Sequence, residues 1–277
     1  IGSAFLLLGA VALSVHSGLS QAPMKSSGSP RHAVIVELFT SEGCSDCPPA
    51  DALLAQLEAK QPVAGAEVIG IEEHVDYWDH QGWRDPYSSA EWTDRQREYA
   101  IVLRSESIYT PEMIVDGTTG FIGSRARQSL QIIEQAAIPA KTDVSITAST
   151  AEKNKENLAV RVGQVVGAKD RDTPEVWLAI TESGLHTAVT SGENSGRELR
   201  HASVLRRLQR LGAADPRAKG TSFALQRVVS LDSRWIRPNL RAVVFVQERK
   251  SKRILGAAAT MPGAIGREYS PASEQTP

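Results

Sequence analysis

The chain of 277 residues holds two cysteines, Cys44 and Cys47, inside the stretch VELFTSEGCSDCPPADALLAQL at 36–57. A Cys-x-x-Cys pair can be a working dithiol, half of a metal site, or a structural clip. A clip is the weakest reading, because closing a loop across two residues removes little entropy from the unfolded chain. A working dithiol needs one sulfur that is readily a thiolate, and a second that resolves the mixed disulfide the first one forms. A metal site needs more ligands. His74 would complete a three-ligand N/S set suited to copper or zinc. Glu37 is a carboxylate within an apolar run, seven residues before Cys44. Buried, with a raised pKa, it would serve as a general base under Cys47; otherwise it pairs with an arginine or faces solvent. His74, Asp76, Trp78, Asp79, His80 and Trp83 crowd into ten residues. They read as the rim of a partner groove, as the metal alternative, or as two tryptophans packed on the helix that follows.

These residues need elements to position them. AVIVELF at 33–39 is a continuous β-branched and apolar run, which suits a strand buried on both faces. The apolar spacing of ADALLAQLEAK at 50–60 predicts a helix that Gln61-Pro62 stops. Cys44 therefore lies between a buried strand and a helix N-terminus, where free backbone N–H groups and the helix dipole favour a thiolate. Pro48 and Pro49 fit there, because the first turn needs no intrahelical donors. AEVIGIEEHV at 66–75 reads as a second strand and residues 89–105 as a helix with Trp92, Gln96, Tyr99 and Leu103 on one stripe. PEMIVDG at 111–117 is a third strand ending in an Asp-Gly turn. GFIGS offers a short fourth strand, and residues 125–137 a closing helix.

After Pro139 the pattern changes to short runs of period-two alternation separated by polar turns, the pattern of an antiparallel sandwich. Residues 198–212 are ambiguous between strand and helix. The expectation is an α/β domain at 32–140 followed by an all-β antiparallel sandwich at 141–261. Arg197, Arg200, Arg206, Arg207 and Arg210 form a basic run, read as a solvated face or a site for an anionic partner. A formal net charge of −1 points to neither nucleic acid nor an anionic membrane surface. The apolar run at 4–15 is short for a membrane span, and Ser20 and Ala22 stand as a small-residue cleavage site. Residues 1–22 thus read as a signal peptide, with an uncleaved anchor as the alternative, 23–31 as a linker and 262–277 as a disordered tail. Export to the periplasm or beyond places the cysteines where disulfides persist.

The motifs VELFTSEGCSDCPPADALL, HVDYWDHQGWRDPYSS and YTPEMIVDG, with SGENSGRELRHASVLRRL further on, resemble those of a bacterial family of secreted thioredoxin-like proteins of unknown function, family 1223. The resemblance implies a thioredoxin-like fold for the first domain and, by extension, disulfide exchange with protein thiols or disulfides of the cell envelope. The redox group would be the Cys44–Cys47 disulfide, with no other cofactor. It also implies that Thr110-Pro111 is a cis pair facing the dithiol. Thioredoxins carry a buried acid in the strand of Glu37, but here the spacing to the cysteines is one residue longer. Gly43 before the first cysteine, Ser45-Asp46 between the two, and the long insertion after the second strand all depart from a standard thioredoxin.

Overall fold

The computed structural model describes Ile1 and residues 31–152, 154–261 and 263–265. The expected signal peptide, most of the linker and nearly all of the tail lie outside the described residues. No helix among the described residues is long and apolar enough to cross a membrane.

The first half follows the expected order: β1 (His32–Thr40), α1 (Pro48–Lys60), β2 (Ala66–His74), α2 (Ala90–Leu103), β3 (Glu112–Val115), β4 (Thr119–Ile122) and α3 (Ala126–Ala137). β1 runs parallel to β2 and antiparallel to β3. Ser89 caps α2, its hydroxyl accepting the Glu91 amide, which satisfies a donor the helix cannot. The β3–β4 turn places Asp116 and Gly117 at φ 46° and 66°. Gly117 is required there: a Cβ would stand 1.9 Å from the Lys252 carbonyl oxygen.

The second half contains β5 (Val144–Glu152), β6 (Lys155–Val162), β7 (Pro174–Glu182), β8 (Leu185–Ala188), β9 (Glu198–His201), β10 (Val204–Ala213), β11 (Phe223–Ser230), β12 (Leu240–Glu248) and β13 (Ile254–Ala259). The ambiguous stretch at 198–212 is thus two strands. These strands do not build a separate sandwich. β10 docks beside β2 in parallel, with Val204 opposite Glu72, and the Glu72 amide donates to the Ser203 carbonyl at 2.9 Å. The result is one mixed sheet of eight strands, ordered β13-β12-β7-β10-β2-β1-β3-β4. Only β5, β6 and β11 form a smaller sheet, with β8 and β9 as a separate hairpin. The expectation of a thioredoxin-like domain followed by an independent sandwich is therefore corrected.

The packing shows why. One core lies between the small sheet and one face of the large one, joining Val160, Val162 and Val229 to Val176, Leu178 and Val244. A second holds Val34, Val36, Leu38, Leu54, Leu57 and Val68 between the β1–β2 face and α1 and α3. A third crosses between the halves, putting Ile35, Ile69, Ile71 and Trp92 with Ala179, Leu205, Val243 and Phe245. β2 and β12 are buried along almost their whole length. A strand covered on both faces reads as a continuous apolar run, and AVVFV in β12 is such a run.

Candidate functional site

The first turn of α1 and the C-terminal ends of β1 and β2 meet at the cysteines. Cys47 caps α1, with two prolines directly after it, and Cys44 stands one turn earlier. Both cysteines are free and buried, with Cys44 only 2% exposed and Cys47 fully enclosed. The two sulfurs are in hydrogen-bond contact, and this lowers the Cys44 pKa to about 7, with the Thr110 hydroxyl helping against the cost of burial. Burial, then the Cys44 sulfur itself and the nearby Asp51 carboxyl, push the Cys47 thiol far up. One sulfur is thus acidic and its neighbour holds its proton. The Thr110–Pro111 peptide is cis, as expected, and opens the chain into β3. Trp78 covers the same place: its indole N–H donates to Thr110 Oγ1 at 2.8 Å. A Cβ on Gly43 would meet the Trp78 Cβ at 3.0 Å, so a small residue before Cys44 lets this indole close over the loop.

The buried acid under Cys47 is Asp51, which the sequence reading missed. It lies four residues after Cys47, on the same face of α1. Its Oδ1 accepts from Thr40 Oγ1 at 2.6 Å, and Thr40 also touches the Cys47 sulfur. Burial and the charge of Glu72 raise the Asp51 pKa to about 8, against the opposing pull of His201. Glu37 takes the other face of the sheet. Residues alternate along a strand, so Val34, Val36 and Leu38 face α1 while Ile35, Glu37 and Phe39 face α2. Glu37 is bound by Arg95 at 2.5 Å and by the Tyr99 hydroxyl, which matches the alternative of a carboxylate paired with an arginine. Glu73 shares that face, and burial pushes its carboxyl well above the usual range.

His74 does not turn its ring nitrogens to the cysteines. Its Nδ1 meets Asp85 Oδ2 at 2.7 Å and its Nε2 meets Glu72 Oε1 at 3.1 Å. The same Glu72 oxygen meets His201 Nδ1 at 2.6 Å, and His201 Nε2 meets Glu42 Oε1 at 3.2 Å. Burial opposes charge on these rings, but Asp85 and Glu72 outweigh it at His74, which is held well above its usual pKa. Glu72 and Glu42 do the same at His201, raising it to about 10. Sequence alone offered no signal for His201, which reaches this place because β9 precedes the strand that docks on β2.

The chain around β9 also grips the dithiol loop. Asn194 Nδ2 donates to the carbonyls of Glu42 and Cys44 at 2.8 and 2.9 Å, and the Ser45 amide donates to Glu193 Oε2 at 3.0 Å. Trp83 Nε1 donates to Glu42 Oε2 at 2.8 Å. Most of the basic run is occupied structurally: Arg206 pairs with Glu182 and Arg210 with Glu175, Arg197 holds Asn194, and Arg207 lies over Trp235.

Comparison with known proteins fits this architecture. A crystal structure of a protein from Agrobacterium tumefaciens is similar at TM-score 0.63 and 24% identity, over 88% of this chain and 98% of that one. HBP35 of Porphyromonas gingivalis is similar at TM-score 0.60 and 14% identity, over 90% and 80%. At these identities the likeness is one of fold. No curated protein matches the chain. The family model described as "Protein of unknown function (DUF1223)" matches residues 35–247. That match runs over well more than half of the chain, and the chain belongs to the DUF1223 family.

Proposed function

We propose that this protein is an exported thiol–disulfide oxidoreductase acting on protein thiols or disulfides of the cell envelope. The observation that carries the reading is geometric: two touching sulfurs at the first turn of α1, the cis Thr110–Pro111 peptide beside them and the buried Asp51 carboxyl under Cys47, an arrangement that makes Cys44 the more acidic thiol. The export part rests on the apolar run at 4–15 and the small residues Ser20 and Ala22.

In the reducing direction the Cys44 thiolate attacks one sulfur of a substrate disulfide. A Cys44–substrate bond forms, the substrate S–S bond breaks, and one substrate sulfur leaves as a thiolate. Cys47 then gives its proton to the ionised fraction of Asp51, with Thr40 beside both, and attacks Cys44. The Cys44–Cys47 disulfide forms and the second substrate thiolate departs. Two electrons pass to the substrate, which ends as a dithiol after taking up two protons. The oxidising direction is the reverse. The Cys44 carbonyl is held by Asn194 and the sulfur is almost enclosed, so a protein substrate gains access by displacing the segment around Glu193 and Asn194.

Equilibration with glutathione buffers, followed by alkylation and mass measurement, tests this reading. The expected result is a single two-electron transition within the range of about −120 to −270 mV spanned by redox-active dithiols. A pair that stays oxidised below about −300 mV is a structural disulfide and overturns it.

A further inference from the structure

We infer that Glu72, His74 and His201 form a binding site for one divalent transition-metal ion, best matched to zinc, separate from the two thiols. The ligand atoms, one from each residue, all lie within 4.8 Å of one another. His74 Nε2 and His201 Nδ1 converge on the same Glu72 oxygen, at 3.1 and 2.6 Å. Tetrahedral ligands at zinc distances of about 2.0–2.1 Å stand about 3.3 Å apart, so small side-chain rotations open the space. Two imidazoles and one carboxylate are a ligand set that zinc uses.

The surroundings are those of a metal site. A ligating histidine characteristically donates its other ring N–H to a carboxylate or carbonyl. Here both do, His74 Nδ1 to Asp85 at 2.7 Å and His201 Nε2 to Glu42 at 3.2 Å. The outer carboxylates are themselves fixed. Asp85 accepts the amides of Glu42 and Tyr87, Glu42 accepts Trp83, and the free oxygen of Glu72 accepts the Ala202 amide at 3.0 Å.

Charge gives a second reason. Glu42, Glu72 and Asp85 are all buried, and among the described residues no lysine or arginine pairs with any of them. Two imidazole protons or one divalent cation supply the same positive charge. Two imidazolium rings, each donating both N–H groups to carboxylates, satisfy these contacts; a bound cation takes the place of the two inner protons and leaves the outer N–H bonds as they are. The set also differs from the alternative that the sequence offered, Cys44, Cys47 and His74: the histidine is shared, and the partners are oxygen and nitrogen.

The test uses the full chain with both thiols removed (Cys44→Ser/Cys47→Ser), stripped with chelator, titrated with zinc chloride and desalted. The expected result is one zinc retained per chain. His74→Ala and His201→Gln in that background abolish retention, and Glu42→Gln, which meets the proposed site only at the outer nitrogen of His201, weakens it about 10–100-fold. X-ray absorption at the zinc edge of the unsubstituted protein reports nitrogen and oxygen neighbours at about 2.0–2.1 Å. No zinc retained by the folded thiol-free chain overturns the inference. So does retention that both histidine variants leave unchanged, or a sulfur shell at about 2.3 Å.

Discussion

Asp51 carries a proton at neutral pH only because the fold makes its charge costly, and replacing it by asparagine removes that cost. The carboxyl is buried and its pKa stands at about 8 against an ordinary 3.8. Between those values the folded chain holds a proton that the unfolded chain has lost. The unfolded state then binds fewer protons, and stability falls by about 1.4 kcal/mol per pH unit as the pH rises from about 4 to about 8. At pH 7 the interval already crossed is about three units, so Asp51 lowers stability there by at most about 4 kcal/mol. Asparagine keeps an oxygen to accept the Thr40 hydroxyl and cannot ionise. Asp51→Asn is therefore expected to stabilise the reduced, chelator-treated protein by up to that amount at pH 7, and by little at pH 4. The same change removes the proton acceptor for Cys47, so resolution of a mixed disulfide slows in rapid-mixing experiments while its formation by Cys44 does not. Urea denaturation from pH 4 to 9 measures the first effect. A variant less stable than the parent at pH 7, or one with an unchanged pH slope, refutes the argument that Asp51 is a buried acid under Cys47.

Arg95→Met should cost about 3–5 kcal/mol in urea denaturation, because it leaves the buried Glu37 carboxylate without its cation; a loss below about 1 kcal/mol would contradict the ion pair. Alkylation of Cys44 followed across pH should show a midpoint near 7, against about 8.5 for a free thiol. Thr110→Val should move that midpoint upward by deleting a donor to the thiolate, and an unchanged midpoint would remove Thr110 from the site. Asn194→Ala should raise the pH-independent limiting rate of Cys44 alkylation, since it frees the Glu42 and Cys44 carbonyls; an unaltered rate would mean that this segment does not restrict access.

Local signals made much of the site legible. A strand, a dithiol, two prolines and an apolar helix occur in an order that places Cys44 and Cys47 without any long-range information. The Asp-Gly turn was legible in the same way, whereas the cis Thr110–Pro111 pair at the mouth of β3 followed from the family resemblance and not from any local pattern. Asp51 carried a signal that was passed over: an acid four residues from Cys47, within the apolar face of a helix, has to be buried beside it. Glu37 stayed open between a base and an ion-paired carboxylate because its strand is apolar on both sides, and periodicity cannot say which face carries α1 and which carries Arg95. The pairing of β10 with β2 had no local signature, because alternation in a short strand does not name its neighbour. His201 and Asn194 were out of reach for that reason. His201 reaches Glu42 and Glu72, and Asn194 the Glu42 and Cys44 carbonyls, on chain that leads into the contact between residues 72 and 204. The uninterrupted apolar run of β12 was the one available hint that the second half is not a free-standing sandwich.

The central claim is that the dithiol forms a transient covalent bond with a protein partner. Cys47→Ser leaves the attacking thiolate and removes the one that resolves it, so exchange stalls at the mixed disulfide. The direct measurement is a non-reducing gel of cells expressing Cys47→Ser or Cys44→Ser, with the high-mass bands identified by mass spectrometry. The account predicts reductant-sensitive bands with Cys47→Ser that are absent with Cys44→Ser. Identical patterns for the two variants would contradict it.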